Sequence, residues 1–427
     1  MMAFPLDSAL FMLEMKRNQW KSEAQIESLQ ERLLQELVSY ARANVPHYKK
    51  TLGPAAPIRS LEDIRHLPIF HKEDVLASPD SFISRAVDKS ALKSKVTSGT
   101  TGVPLTIYSD RRDCGYAIAL EQHQLTEVGV GPFDLKAHIT YYSLEPTLLQ
   151  RLGLFRRVYL TRSTDGLETL RALQRIRPDV LQGMPSFLIA LARANLDHDA
   201  RFNVRTVVSF SEVLTPQARR FISSSFGCQV RDMYGSAETH WIGWECDRGS
   251  MHMNSDSLIV EILDKHGEPV PDGAVGDIVV TPLWRRAMPF IRYFSGDRGS
   301  FQGRCACGRH GLKVLGPIEG RTAHFFMLDD GTICPSYLAD HVMRSVPEVL
   351  QYQLVQEEAG KLRVLLVLSA PLSGREKLLS SCTGMFDGKL DISLEVVDHI
   401  GSGKNGKARD FISKIKRIGE DRLIRME

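Results

Sequence analysis

The 427-residue chain sets 54 lysines and arginines against 51 aspartates and glutamates, a net charge of +3, with 43% hydrophobic and 25% charged residues. That balance excludes a disordered chain and gives no footprint for nucleic acid or an anionic membrane surface. Seven cysteines, an odd number in a chain long enough for two or three domains, suit a reducing compartment and thiol or metal chemistry rather than a disulfide framework.

No apolar run is long enough to span a bilayer. Near the start, Asp7 and Glu14 interrupt the apolar pattern, and no basic segment precedes Phe11-Met12-Leu13. A cytoplasmic location is therefore expected. Ser22, followed three residues on by Gln25, reads as a capping box. Ile26, Leu29, Leu33, Leu37, Ala41 and Val45 then recur at helical spacing, predicting a long amphipathic helix ending near Pro46. A Pro/Gly-containing connector over 51–60 leads through Leu67-Pro68-Ile69-Phe70 to the stretch Lys95-Val96-Thr97-Ser98-Gly99-Thr100-Thr101-Gly102-Val103-Pro104-Leu105. Three hydroxyls lie between or beside two glycines that permit tight turns and expose backbone N–H groups, a chemistry suited to phosphate. The spacing is not that of a Walker loop, and a polar surface turn is the plainer reading. Pro104 keeps a helix from starting at once.

A helix is predicted over 114–128. Strands at 137–142, 179–181, 206–210 and 229–233 then alternate with helices at 167–176, 186–194 and 216–226. This order predicts an α/β layer with a largely parallel sheet. After Trp241 the character changes. Strands at 257–263 and 277–281 flank turn-rich segments, giving an antiparallel, barrel-like subdomain. A boundary near Gly320-Arg321 divides a large domain, 1–320, from a small α+β domain, 321–427. The second contains helices at 336–346 and 375–385 and strands at 350–355, 362–368 and 392–397. It ends in the glycine/lysine loop Gly401-Ser402-Gly403-Lys404-Asn405-Gly406-Lys407.

Six elements stand in order: the 97–104 loop, Phe210-Ser211-Glu212, Tyr234-Gly235-Ser236-Ala237-Glu238, Arg292-Tyr293-Phe294-Ser295-Gly296-Asp297, Gly320-Arg321 and Gly406-Lys407. This series resembles the adenylate-forming superfamily of acyl-CoA synthetases, adenylation domains and luciferases. Gly183-Met184-Pro185-Ser186, Pro289-Phe290-Ile291-Arg292-Tyr293 and Cys305-Ala306-Cys307-Gly308-Arg309 make the chain most similar to the phenylacetate-CoA ligase family.

The resemblance implies a reaction in which a carboxylate attacks the α-phosphate of ATP, expels pyrophosphate and forms an acyl-adenylate. Two anions must converge, so the site must neutralise charge and exclude water. Ser98, Gly99, Thr100, Thr101 and Gly102 would hold the β- and γ-phosphates, with Thr100 closest to the chemistry. Glu238 would bind Mg²⁺, or else be a solvated loop carboxylate. Tyr234 would stack on adenine, Asp297 would take the ribose hydroxyls, and Arg321 would reach the ribose or α-phosphate; their plainer readings are a core tyrosine, a turn aspartate and a boundary ion pair. Ser211, Glu212 and Gly235 complete the nucleotide set. Lys407 is the expected adenylation lysine, carried by a domain that rotates between half-reactions, although Gly403-Lys404 offers a rival register.

The expected acid pocket is lined by Tyr141, Phe210, Ser211, Gly235, Ser236, Ala237 and His240, a small aromatic-rich set favouring a planar aromatic acid. Residues 141–146 lack the glycine-rich run of phenylacetate-CoA ligases, which leaves phenylacetate itself in question. Thr322-Ala323-His324 replaces the usual acidic pair after Arg321, making the hinge atypical. CoA is the favoured acceptor; an amine or a carrier-protein thiol would attack the same adenylate. No nucleic-acid or membrane partner is expected; a downstream acyltransferase and a homodimer are open expectations. Cys246 and His252, separated by five residues, and the pair Cys305 and Cys307 supply four N/S ligands for structural Zn²⁺. The tight Cys-x-Cys spacer keeps buried reduced thiols as the alternative. A noncatalytic zinc-containing interaction protein on a degenerate ligase fold is the reading from a different class.

Overall fold

A computed structural model of the chain describes residues 6–52, 58–97, 104–140, 145–146, 148–161, 166–198, 200, 202–318, 325–328, 333–335, 342–385, 388–401 and 408–415. Two compact units emerge, Met1–Leu214 with Ile222–Glu319, and Thr215–Phe221 with Gly320–Glu427.

The first unit is organised by a nine-stranded sheet. Its spatial order is Phe301–Gln302, Val314–Leu315, Met251–Met253, His240–Glu245, Gln229–Ser236, Thr206–Phe210, Val180–Gly183, Lys136–Thr140 and Arg157–Thr161. On one side of Gln229–Ser236 every pairing is parallel, and on the other every pairing is antiparallel. The helices Gly166–Ile176, Pro185–Asp197 and Pro216–Phe226 fall between successive parallel strands, as parallel neighbours require.

The antiparallel section after Trp241 does not keep to itself. The strands His240–Glu245 and Met251–Met253 extend the open edge of the large sheet, while Leu258–Leu263, Gly276–Pro282 and Tyr293–Gly299 form a separate three-stranded sheet. The barrel-like expectation for this section thus gives way to two antiparallel groups, because the edge left by the last parallel strand offers unpaired backbone groups.

Local chemistry sets the element ends. The long helix is Glu23–Asn44, and Ser22 with Gln25 forms the capping box. Ile26, Leu37 and Ala41 are buried along it. The helix read from residue 114 starts earlier, at Arg111–Glu127, because the Asp110 carboxylate accepts the Asp113 N–H at 2.7 Å. Pro104 leads into a strand: Lys93–Val96 pairs antiparallel with Thr106–Ser109. Thr97 N–H donates to the Leu105 carbonyl at 2.8 Å, and Leu105 N–H donates to Thr97 Oγ1 at 2.9 Å. The flanks of the glycine-rich stretch are therefore held together; residues 98–103 lie outside the described residues, as do Tyr141, Arg321, Lys404 and Lys407.

The second unit has a four-stranded mixed sheet ordered Asp391–Val396, Lys361–Leu368, Val349–Glu358 and Phe411–Ser413. Helix Arg375–Met385 packs Leu378 and Cys382 against Leu354, Leu366 and Leu394. The short strand Phe411–Ser413 had no sequence signal of its own. The helix expected over 336–346 is helical at 342–345, and 336–341 lie outside the described residues.

One buried ion pair stitches the three-stranded sheet to the chain before it. Arg292 Nε and Nη2 donate to Glu261 at 3.0 and 2.8 Å, while its Nη1 donates to the carbonyls of Arg65 and Leu67 at 3.0 and 2.7 Å. The Arg292 side chain is 4% exposed, so removing it leaves Glu261 without its countercharge in a dry site. Arg292→Met is expected to destabilise the protein by about 3–5 kcal/mol in urea unfolding. Arg292→Met combined with Glu261→Leu should recover much of that loss, and a single variant as stable as the parent would contradict this assignment.

Candidate active site

The strand Gln229–Ser236 turns into His240–Glu245 through a tight hairpin. A Cβ added at Gly235 would lie 2.4 Å from the His240 carbonyl oxygen and 2.9 Å from Trp241 Cα, so no larger residue fits. The register slips between Tyr234 and Gly235, a bulge that re-aims the side chains after it. His240 sits at φ +65°, an unusual conformation for a non-glycine residue. Ser236 Oγ accepts the Thr239 N–H at 3.1 Å and lies 2.9 Å from Thr239 Oγ1, fixing the turn that presents Glu238.

Tyr234 lies at the end of this strand, and its hydroxyl donates to Asp297 Oδ2 at 2.8 Å. The two residues expected at adenine and ribose are thus neighbours, although they come from different sheets. Ser295 Oγ accepts the Asp297 N–H at 3.1 Å, which fixes the strand approach of Asp297. Arg285, buried and unforeseen in the sequence, donates to the Glu238 carbonyl at 3.0 Å, to the Tyr108 carbonyl at 3.1 Å and to the Met288 carbonyl at 3.3 Å. It ties the Glu238 turn to the strand that follows the glycine-rich stretch. A lone arginine between Trp284 and Arg286 carries no periodic signal, so nothing in the sequence marked it.

Ser211, just past the strand Thr206–Phe210, has φ +75°. Strain of that kind concentrates where a site demands it. Glu212 turns back to the helix Pro185–Asp197, accepting from Ser186 N at 3.0 Å and Ser186 Oγ at 3.1 Å. A carboxylate there meets the positive end of the helix. Of the expected pocket residues, Phe210 contacts Trp241 at a ring separation of 6.1 Å, His240 lies 6.2 Å from Trp284, and Ala237 packs beside the cluster of Phe70, Phe290 and Tyr293. Burial drives the His240 imidazole down to about 3, with Lys95 and Arg285 acting in the same sense. It is neutral at physiological pH.

Cys246, His252, Cys305 and Cys307 bring one ligand atom each within 4.8 Å of one another, the cluster among the described residues that could hold a metal. Cys246 follows strand His240–Glu245, His252 lies in Met251–Met253, and the Cys-x-Cys turn follows Phe301–Gln302, so three antiparallel strands converge on the cluster. Cys246 Sγ lies 3.7 Å from Cys305 Sγ, and His252 Nε2 lies 3.1 Å from Cys307 Sγ. A tetrahedral zinc with bonds of about 2.3 Å to sulfur and 2.0 Å to nitrogen separates sulfur ligands by about 3.8 Å and sulfur from nitrogen by about 3.6 Å. The donor set and the sulfur–sulfur spacing fit that ion, and the His252–Cys307 pair would open by about 0.5 Å to take it. Without an ion, burial pushes the Cys246 thiol up to about 11 and the His252 imidazole down to about 4. Arg309 braces the cluster, donating to Gln19 and Glu127 at 2.9 and 2.5 Å and lying over the rings of Trp20 and Trp244.

The AMP-binding enzyme family matches residues 95–282, a span that contains the glycine-rich stretch, the hairpin and Glu238. Over that span the chain is similar to the adenylate-forming superfamily. Within it, the chain is phenylacetate-CoA ligase-like: the phenylacetate-coenzyme A ligase of Thermus thermophilus is 28% identical over 356 residues, covering 79% of each chain. A second family, the CapK C-terminal domain, matches residues 326–414. Protein CapK of Staphylococcus aureus is 24% identical over 415 residues, covering 91% of this chain and 89% of that one. The fold matches 2-hydroxyisobutyryl-CoA ligase in the postadenylation state with a TM-score of 0.76 at 20% identity, covering 93% and 92% of the two chains. Among the described residues, no helix is long and apolar enough to cross a membrane.

Protein purified without added metal should contain about one equivalent of zinc by elemental analysis. Cys305→Ser with Cys307→Ser should abolish that content and lower the melting temperature. Metal-free protein with unchanged melting would contradict the zinc assignment.

Proposed function

We propose that the chain activates a carboxylic acid, aromatic in class, to an acyl-adenylate at the expense of ATP, and transfers the acyl group to CoA. The observation that carries this reading is the meeting of Tyr234, Asp297 and the Glu238 turn around one hairpin, inside the span that matches AMP-binding enzymes. In this reading Tyr234 stacks on adenine, and its hydrogen bond pre-orients Asp297 for the ribose hydroxyls. Glu238 supplies oxygen to Mg²⁺, whose chemistry is to offset phosphate charge. Ser98, Gly99, Thr100, Thr101 and Gly102 hold phosphates; Ser211, Glu212 and Gly235 frame the nucleotide; Arg321 reaches its ribose or α-phosphate side. His240, Phe210, Tyr141, Ser236 and Ala237 border the acid. Lys407 draws the attacking carboxylate and the α-phosphate together by neutralising both. The small domain, residues 321–427, carries this lysine and withdraws it for acyl transfer.

A second reading changes only the acceptor, to an amine or a carrier-bound thiol. It is favoured by one finding, the match of the C-terminal residues to a domain named for CapK rather than for a CoA ligase.

Pyrophosphate release should require ATP, Mg²⁺ and an acid. Glu238→Ala and Asp297→Ala should each lower it by about 10²–10³-fold, the scale of losing one preorganised electrostatic contact. Lys407→Ala should match or exceed that loss, with Lys404→Ala mild. Full activity in Glu238→Ala and Asp297→Ala would remove the site assignment. No acid-dependent release across a broad panel would favour the noncatalytic zinc-containing interaction protein. Supplying CoA or amines after adenylation separates the two acceptor readings.

A further inference from the structure

Strands inside a parallel sheet covered by helices are expected to be apolar on both faces. One strand here breaks that rule, beside a half-buried edge strand that shares its polar face. Lys136, His138 and Thr140 alternate with Ala137 and Ile139, and all five are buried. The next strand pairs in register, Arg157 beside Lys136 and Tyr159 beside His138. On the other side, Gln182 is the in-register partner of His138. The helix Arg111–Glu127 brings Glu121 and Gln124 to this face, on the same helical stripe as Leu125, which packs with Val180 and Val208.

Part of this polar set is satisfied internally. Arg157 Nη2 donates to Glu121 Oε1 at 2.6 Å, and Arg157 Nη1 donates to the Tyr159 hydroxyl at 3.2 Å. The rest is not. Lys136 Nζ, both polar atoms of the Gln124 amide and Gln182 Oε1 are buried with no hydrogen-bond partner. Lys136 is 4% exposed, Gln182 1% and Gln124 fully buried. Burial alone would raise the Glu121 carboxyl, but Arg157 and Lys136 outweigh it and hold it well below the usual range. Burial, with Arg157 nearby, drives the Lys136 ammonium in the same downward direction. An ordinary buried ion pair explains Glu121 and Arg157. It does not explain the buried Lys136 amine, the unpaired Gln124 amide and the unpaired Gln182 oxygen on the same face, whose burial is unfavourable without a partner.

This face is continuous with the candidate acid pocket. The rings of His240 and Trp241 lie 6.1 Å apart, Trp241 and Phe210 6.1 Å, Phe210 and His138 5.4 Å, and His138 and Tyr159 5.7 Å. Arg157 then lies over the Tyr159 ring at 5.8 Å. The chain of contacts runs from the hairpin residues expected at the acyl group to Arg157, the in-register neighbour of Lys136.

We propose that this sheet face is a specificity subsite that selects an acid bearing a second oxygen acceptor, a hydroxyl or a carboxylate, at the end remote from the reacting carboxylate. Resting on the ligase reading above, it narrows the substrate from a plain aromatic acid to a polar-substituted one. Lys136 donates to the acceptor oxygen, and a carboxylate placed there would restore the ammonium form that burial and Arg157 disfavour. Gln182 Oε1 accepts from a hydroxyl but has nothing to offer a carboxylate, so it distinguishes the two substituents.

The test measures kcat/KM for pyrophosphate release with benzoate, 4-hydroxybenzoate and terephthalate, using the full chain. Wild type should prefer at least one substituted acid over benzoate by about ten-fold or more. In Lys136→Met that ratio should fall to near unity, while the melting temperature of the unliganded protein rises because an unpaired buried polar group is gone. Gln182→Leu should reduce the ratio for 4-hydroxybenzoate but not for terephthalate. Equal use of all three acids with ratios unmoved by either variant would overturn the subsite. So would a parallel loss toward every acid accompanied by a lower melting temperature, which marks a structural lysine. If no acid yields pyrophosphate, the ligase reading fails, and thermal stabilisation by the same acids decides the subsite. Stabilisation by a substituted acid, but not benzoate, that disappears in Lys136→Met supports it; no such shift overturns it.

Discussion

The close approach of Gly235 to the His240 carbonyl is the contact on which the rest of the first unit depends. It lets the strand Gln229–Ser236 turn back on itself at the line where the large sheet changes from parallel to antiparallel. One side of that line brings Phe210 and the alternating polar strands; the other brings the metal-ligand hairpin. Tyr234 sits on the strand just before the turn and Glu238 on the turn itself, and Asp297 and Arg285 reach them from outside the sheet. A side chain at residue 235 would collide with backbone rather than with a movable side chain, so the geometry has no cheap escape.

The metal cluster and the hairpin share the same strands. His240–Glu245 begins beside Glu238 and ends one residue before Cys246. A zinc ion on four ligands from three strands would pin the far end of the element whose near end carries the site. The hydrophobic cluster of Trp244, Met233, Val208 and Leu312 fills the space between the two ends and includes Cys246 and Cys305. The Cys/His cluster and the hairpin are joined through a packed strand, so loss of an ion bound there would be felt first as loss of order in that hairpin.

Much of the fold was legible because its signals are local. Helical spacing and the Ser22 capping box placed the long helix, and strand–helix alternation gave the parallel half of the sheet. That Cys246, His252, Cys305 and Cys307 would gather was readable from residue type, and Tyr234 and Asp297, which prove to be neighbours, stood out as motifs. What escaped was set by register and by long-range pairing. Nothing local says that Lys136 lies beside Arg157, or that the antiparallel strands after Trp241 join the large sheet instead of closing on one another. Arg285 was missed for the same reason, since its partners at Tyr108 and Glu238 are distant in sequence. The period-two pattern of Lys136, His138 and Thr140 was visible, but its meaning depends on knowing that the strand is covered.

The central claim is that the carboxylate of an acid attacks the α-phosphate of ATP in this site. Labelling both carboxylate oxygens of the acid with heavy oxygen and following the label by mass spectrometry through complete acyl transfer tests it most directly. The account predicts one labelled oxygen in AMP and none in the inorganic phosphates, because the attacking oxygen leaves with the adenylate when the acceptor displaces it. Label appearing in orthophosphate would mean attack at the γ-phosphate, and unlabelled AMP formed alongside acyl product would mean that no acyl-adenylate lies on the path; either result would contradict it.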